Sequence, residues 1–216
     1  MISLYSAPVL AVLERLYDRL ERADSNVLPF ALLEYECLGG PFDDLKVASF
    51  LDNAFIPVAP RLLYVLVRTL RPTVAVEFGT LFGLYAIHIA AALRDNGVGR
   101  LIATELNHQK ASFAVEHLQQ AGFGDLVEVR QGDAFETLSD VTEIGFLLLV
   151  GWKALYLAML QKLEPALKSA SLIVVGDLKI MPEMLQPYLT YVRDPENGYN
   201  SCELPFDDGL ELSLRK

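Results

Sequence analysis

The residues with the most chemical content lie in Val74-Ala-Val-Glu-Phe-Gly-Thr-Leu-Phe-Gly83. The apolar run reads as a buried parallel strand with Glu77 at its carboxyl end. Gly79 and Gly83 make a turn, and the helical run Leu84 to Arg94 follows at once. Glycine carries no Cβ, so the backbone can approach a ligand closely there. A strand, a glycine turn and a helix N-terminus in succession form a site for a nucleoside or nucleotide. Two glycines alone would equally mark a plain strand-turn-helix corner.

Spacing separates the candidate ligands. A nicotinamide fingerprint wraps a pyrophosphate with G-x-G-x-x-G. Here position 81 is Leu and the pattern is E-x-G-x-x-x-G. A carboxylate beside the loop repels a pyrophosphate but suits a cationic amino group. S-adenosylmethionine has an amino acid end, a sulfonium and an adenosine, and no phosphate. Glu105 ends the second strand, 22 residues after Gly83, where a carboxylate can accept both ribose hydroxyls. Gln131-Gly132-Asp133-Ala134 follows the third strand, placed to read an adenine edge; Asp133 can also be a helix N-cap before Phe135. Three strand ends that each offer a polar group argue more strongly for S-adenosylmethionine than any one of them.

These positions need a sheet to hold them. Strands are predicted at Thr73–Phe78, Arg100–Glu105, Val127–Arg130, Phe146–Val150 and Ser171–Val175, with helices at Leu84–Arg94, His108–Ala121 and Ala154–Leu167. Runs such as Gly145-Phe-Leu-Leu-Leu-Val150 suit strands buried on both faces. The alternation implies an α/β, doubly wound, mostly parallel sheet. Thr190 to Arg193 and Leu210 to Arg215 read as an antiparallel hairpin at its edge, for seven strands in all. Before the sheet, Val9, Val12, Leu13, Leu16 and Leu20 recur at helical spacing, Pro29 opens a second helix that Gly39-Gly40-Pro41 ends, and Pro60 to Leu70 forms a third. Residues 1–216 therefore read as one domain, with a helical cap region at 1–70 and a cofactor-binding sheet core at 71–216.

Composition narrows the partners. The chain has 216 residues, a net charge of −10 and 52% hydrophobic residues. The acidic balance argues against a nucleic acid or an anionic membrane as partner. Cys37 and Cys202, the only cysteines, make neither a disulfide framework nor a Cys-rich zinc site. No signal peptide or membrane span is expected, and a cytoplasmic setting follows as the default.

The ordered set Val76-Glu-Phe-Gly-Thr-Leu-Phe-Gly83, Ile102-Ala-Thr-Glu105, Gln131-Gly-Asp-Ala134, Gly151-Trp-Lys-Ala-Leu-Tyr156, Ile173-Val-Val-Gly-Asp177 and Asp208-Gly-Leu-Glu211 resembles the class I S-adenosylmethionine-dependent methyltransferases. It is most similar to the catechol and caffeoyl-CoA O-methyltransferase group, and the likeness spans roughly residues 70 to 216. The resemblance implies a Rossmann-like methyltransferase fold. Glu77 and the loop Gly79, Thr80 to Gly83 would hold the methionine end, and Glu105 the ribose. Asp133 and Ala134 would border the adenine, with Trp152 packed near it. Phe78, Tyr85, Leu106 and Val150 would complete the cofactor-binding set. Lys153 matches the general base of the catechol type, with Asp177 beside it. A homodimer is also common in the group.

The pattern breaks at the group's metal site. An Asp ending the fourth strand is Val150 here, and an Asp-Asn pair after the fifth is Asp177-Leu178. Magnesium wants near-octahedral oxygen coordination, so no functional magnesium or calcium is expected. The usual Pro-Gly-Gly turn before the fifth strand is replaced by Ser169-Ala170-Ser171. His88 and His117 are expected to be packed or surface residues, and His108, which follows closely after Glu105, is given no role at the cofactor edge. Glu203 is either at the substrate mouth or a surface charge. Phe42, Phe50, Phe55 and Tyr199 suggest an apolar or aromatic acceptor. The expected function is metal-free O-methylation of a small hydroxylated molecule, with S-adenosylhomocysteine as product. The alternatives are a cofactor-binding protein that has changed or lost methyl transfer, and a nicotinamide-dependent reductase, against which the glycine spacing and Trp152-Lys153 count.

Overall fold

The structure, a computed structural model, describes residues 2–22, 58–205 and 208–216. The expected helix from Pro29 to Gly39, Cys37 and the aromatic residues Phe42, Phe50 and Phe55 lie outside the described residues.

Strands β1 (Val74–Phe78), β2 (Arg100–Glu105), β3 (Val127–Gln131), β4 (Ile144–Leu149), β5 (Leu167–Val175), β6 (Tyr199–Leu204) and β7 (Leu210–Arg215) form one seven-stranded sheet of order β3-β2-β1-β4-β5-β7-β6. The first five pair in parallel, and β7 runs antiparallel to both β5 and β6. The winding reverses between β1 and β4, so a crevice opens at their carboxyl ends. The strongly apolar β1 and β4 lie at the centre, where both faces are covered.

Helices α1 (Ala7–Arg22), α2 (Val58–Leu70), α3 (Leu84–Asn96) and α4 (His108–Gln120) cover one face, where their apolar residues share a core with Ala75, Ala103, Phe146 and Leu148. Ile87, Ile89, Ala90, Ala91 and Ala92 of α3 are fully buried, and the small alanines let this helix lie close to its neighbours. The short α5 (Ala134–Thr137), α6 (Tyr156–Leu163) and α7 (Pro182–Arg193) cover the other face, against Val76, Phe78, Leu147, Leu149 and Val175. Among the described residues no helix is long and apolar enough to cross a membrane.

Three expectations need correction. Thr190–Arg193 is the last turn of α7, and the hairpin strand that pairs with β7 is Tyr199–Leu204. Pro182 opens that helix, and Leu185, Tyr188, Leu189 and Val192 bury one face of it at spacings of three and four. That burial outweighs the strand preference of a short Thr-Tyr-Val run. The expected helix Ala154–Leu167 is divided into a 3-10 turn at Lys153–Leu155, α6, and a second 3-10 turn at Glu164–Ala166. Leu167 already belongs to β5. That strand starts four residues earlier than Ser171 and carries a register irregularity where Ser171 Oγ donates to the Ile144 carbonyl at 2.6 Å.

Candidate active site

Glu77 is wholly buried at the end of β1, on the α3 side of the sheet. Its Oε2 accepts the Thr80 hydroxyl at 2.9 Å, while Oε1 has no hydrogen-bond partner. Burial pushes this carboxyl up to about 8, against the Thr80 hydrogen bond and with a further push from Glu105. The turn that follows is clamped to β2: the Thr104 carbonyl accepts the Gly79 and Thr80 N–H groups at 3.2 and 2.8 Å. Gly79 has φ +89, and a Cβ there would sit 2.5 Å from the Gly151 Cα. Glycine is thus needed twice over, for the left-handed backbone and for the close approach of the β1 and β4 loops. Leu81 is also left-handed, at φ 52.

Glu105 fixes the other side of the turn. Its Oε2 accepts the Leu81 N–H at 3.0 Å and its Oε1 the Asn107 N–H at 2.9 Å. Burial raises its pKa, and these N–H groups together with the positive field of Lys110 act in the opposite direction. Both oxygens keep lone pairs for a further donor, since a carboxylate has about four acceptor directions. Lys110 is a buried lysine in the first turn of α4, and Asn107 caps that helix by accepting from Gln109 and Lys110 N–H. Sequence reasoning passed over both. The cap signal of Asn107 before His108 was readable, whereas nothing local marks Lys110 as buried.

Of the remaining positions expected to contact a cofactor, one segment lies directly against this pair. The Gly132 N–H donates to the Glu105 carbonyl at 3.0 Å, which brings Gln131, Gly132 and Asp133 alongside. Asp133 is an exposed N-cap that accepts from the Phe135 N–H at 2.8 Å, and Ala134 behind it is buried. Leu106 leaves an apolar side chain 52% exposed on the same rim. Val150 is half-buried and donates its N–H to the Phe78 carbonyl at 3.0 Å. Phe78 turns its ring toward Tyr156, edge-on at 6.2 Å, so its side chain belongs to the core while its backbone belongs to the turn. Tyr85 is buried in the first turn of α3, and Trp152 is half-buried where the β4 loop enters its 3-10 turn.

Lys153 begins that turn and reaches the end of β5. Its Nζ donates to the Asp177 carbonyl at 2.9 Å and approaches the Gly176 carbonyl at 3.4 Å. Burial lowers its pKa, and Asp177 and Asp208 oppose that shift. The Asp208-Gly209 segment lies alongside because its carbonyls accept the Lys179 and Leu178 N–H groups. Asp177 has φ 58, while Leu178 is buried and would be 3.1 Å from a Cβ placed on Gly209. Among the described residues no group of three or more His, Cys, Asp or Glu side chains is arranged to hold a metal ion.

The histidines stand away from this chemistry. His88 is buried, its Nδ1 is 2.9 Å from the Leu84 carbonyl, and burial lowers its pKa to about 4. His117 braces the glycine turn through the Phe82 carbonyl at 2.8 Å, and His108 is an exposed first residue of α4. Glu203 pairs with Arg193 at 2.9 Å on the surface of the hairpin.

The family described as "Methyltransferase domain" matches residues 76–178, the segment that carries both glycine turn and Lys153–Asp177 contact. Fold, strand order and matched segment are similar to those of class I methyltransferase domains. Within that class the sequence is similar to caffeoyl-CoA O-methyltransferase 1 of Nicotiana tabacum, at 24% identity over 177 residues, covering 71% of this chain and 73% of the relative. It is also similar to catechol O-methyltransferase of Niastella koreensis, at 33% identity over 131 residues, covering 61% of this chain and 57% of that one. Among solved structures, the O-methyltransferase of Bacillus cereus in complex with SAH superposes with a TM-score of 0.68 at 18% identity, over 89% of this chain and 92% of that one.

Proposed function

We propose that this protein binds S-adenosylmethionine and transfers its methyl group to a hydroxyl of a small molecule without a divalent metal. The observation that carries the cofactor reading is the Oε1 atom of Glu77, a buried acceptor without a partner at the mouth of a glycine turn. A buried polar atom is costly until it is hydrogen-bonded, and an ammonium group is the donor that suits a carboxylate best. Beside it, Glu105 offers lone pairs to a ribose and Leu106 offers an apolar face to a purine. The residues present therefore fit the cofactor.

They do not fit a divalent metal. Val150 and Leu178 supply no oxygen from their side chains, and the two carboxylates left there, Asp177 and Asp208, both lie in the field of the Lys153 ammonium and fall short of the oxygen set that magnesium or calcium takes.

Bound S-adenosylmethionine supplies a methyl group on a positive sulfonium. Glu77 anchors its amino acid end, and the Gly79–Gly83 turn and Tyr85 enclose it. Glu105 orients the ribose, Asp133 and Ala134 border the adenine edge, and Trp152 and Val150 close the β4 side. Lys153 takes the hydroxyl proton. Two directions of its nitrogen point to the carbonyls of Gly176 and Asp177, and the remaining one is available to the acceptor. Asp177 and Asp208 stabilise the ammonium that results. Alignment of hydroxyl and methyl supplies much of the remaining rate.

Calorimetry with S-adenosylmethionine, S-adenosylhomocysteine and NADH tests the reading. The first two are expected to bind and NADH is not; NADH binding alone would overturn it. S-adenosylhomocysteine formation is expected to be unchanged by EDTA, and a loss restored by magnesium would remove the metal-free mechanism.

A further inference from the structure

Resting on that reading, we infer that the acceptor is a monophenol, held through its one hydroxyl oxygen at Lys153, and that Val150 and Leu178 select against a chelating pair of adjacent hydroxyls. The argument begins at the lysine nitrogen. It is tetrahedral, and it faces the Asp177 carbonyl at 2.9 Å and the Gly176 carbonyl at 3.4 Å. That leaves one direction, hence one acceptor atom. A divalent cation would offer several coordination positions and could grip two adjacent oxygens at once.

A second oxygen would gain nothing here. The residue that opens the β4 loop is Val150, half-buried, and the residue after Asp177 is Leu178, buried and packed toward Gly209. A hydroxyl set against these alkyl groups loses water without gaining a partner. Asp177 and Asp208 add a negative field at the same place, which opposes a second ionised oxygen.

Acidity then chooses the kind of hydroxyl. No cation other than a lysine is at hand to acidify it among the groups named at this end of β5. A phenol and a lysine ammonium have ordinary pKa values that are nearly equal, about 10 and about 10.4; burial lowers that of Lys153, which raises the cost of the transfer but leaves a phenol far better matched than a weaker acid. An aliphatic hydroxyl is roughly as weak an acid as water, with a pKa of about 15.7, and is a poor match for this base. In the step itself, the phenol oxygen forms a bond to the methyl carbon as the carbon–sulfur bond breaks. The electron pair of that bond returns to sulfur, giving a neutral thioether, and the phenol proton goes to Lys153 Nζ and then to solvent.

The test uses the wild-type protein and three acceptors on one aromatic frame: a single ring hydroxyl, two adjacent ring hydroxyls, and one hydroxymethyl group. S-adenosylhomocysteine release is followed with and without EDTA. The expected result is kcat/KM for the monophenol equal to or up to about tenfold above that of the adjacent diol, at least about 100-fold above the hydroxymethyl compound, and insensitive to EDTA. A requirement for the adjacent diol, or equal use of the hydroxymethyl compound, would overturn the inference. So would failure of all three in a protein that calorimetry shows to bind S-adenosylmethionine; failure of that binding would instead sink the cofactor reading beneath it. The double substitution Val150→Asp with Leu178→Asn supplies a second arm. It is expected to give calorimetric magnesium binding and a shift of preference toward the diol. A variant that binds magnesium yet keeps the wild-type preference would show that these two positions do not select the acceptor.

Discussion

At the scale of single residues, Glu77 joins burial to ligand chemistry. Its carboxyl is pushed up to about 8 by burial, with Glu105 on β2 pushing the same way and the Thr80 hydroxyl opposing. An unfolded glutamate titrates near 4.3. Between that value and about 8 the folded protein holds a proton that the unfolded chain has released, so this group makes stability fall as pH rises through that window. Glu77→Gln removes the term. Its advantage over wild type in urea unfolding is expected to be larger at pH 8 than at pH 5. The ammonium of S-adenosylmethionine favours the ionised form, so binding at pH 7 is expected to release close to one proton. Calorimetry in two buffers of different ionisation enthalpy measures that number, and a value of zero would show that Glu77 is already ionised or lies outside the contact. Lys153 gives a second prediction at this scale. Arginine keeps the charge but does not give up its proton, so Lys153→Arg should lower kcat by about 100-fold or more. Its S-adenosylhomocysteine affinity should stay near that of wild type.

At the scale of elements, the site is a meeting of strand ends under steric limits. The Gly79 turn is left-handed and 2.5 Å separates its missing Cβ from Gly151. Gly79→Ala is therefore expected to cost at least about 2 kcal/mol in urea unfolding and to abolish cofactor binding. Inside β5 the opposite situation holds. Ala170 adopts φ 62 in the irregular Ser169-Ala170-Ser171 stretch of that strand, where a Cβ is a liability. Ala170→Gly should stabilise the protein by about 1 kcal/mol, with kcat unchanged; a loss of stability would show that the alanine side chain contributes packing that outweighs its backbone strain.

At the scale of the whole molecule, the C-terminal hairpin closes the sheet and carries Asp208 and Gly209 to the end of β5. An ion pair between a buried carboxylate and a half-exposed arginine holds it there. Glu211 of β7 is fully buried and accepts from Arg193 of α7 at 2.9 and 2.5 Å and from Ser201 of β6 at 2.7 Å. Removing one partner leaves the other charge buried, which costs several kcal/mol in an enclosed pair. The Arg193 side chain is 42% exposed, so Arg193→Met is expected to cost about 2 kcal/mol, the enclosed value reduced for solvent screening. Since the hairpin positions Asp208 near Lys153, the same variant should lower turnover more than cofactor affinity.

The sequence by itself determined the proposed cofactor half of the site. Glu77, Gly79, Gly83 and Glu105 are legible because strand, turn and helix follow one another directly, and the glycine requirement is local. Five parallel strands and both central helices of the α3 face were legible for the same reason, through runs of apolar residues and their spacing. Tertiary structure decided the rest. The segment ending at Arg193 is a helix because one face of it is buried against the sheet, and no local preference reports that burial. Lys110 matters through its positive field at Glu105, and Asp208 through its carbonyl, which accepts the Lys179 N–H across the sheet end. Lys153 stands out in the chain only beside its neighbours Gly151 and Trp152. Its two carbonyl contacts, and the single direction they leave open, exist only once β4 and β5 lie side by side. Local sequence encodes conformational preference, whereas burial and charge coupling are properties of groups that folding brings together from distant parts of the chain.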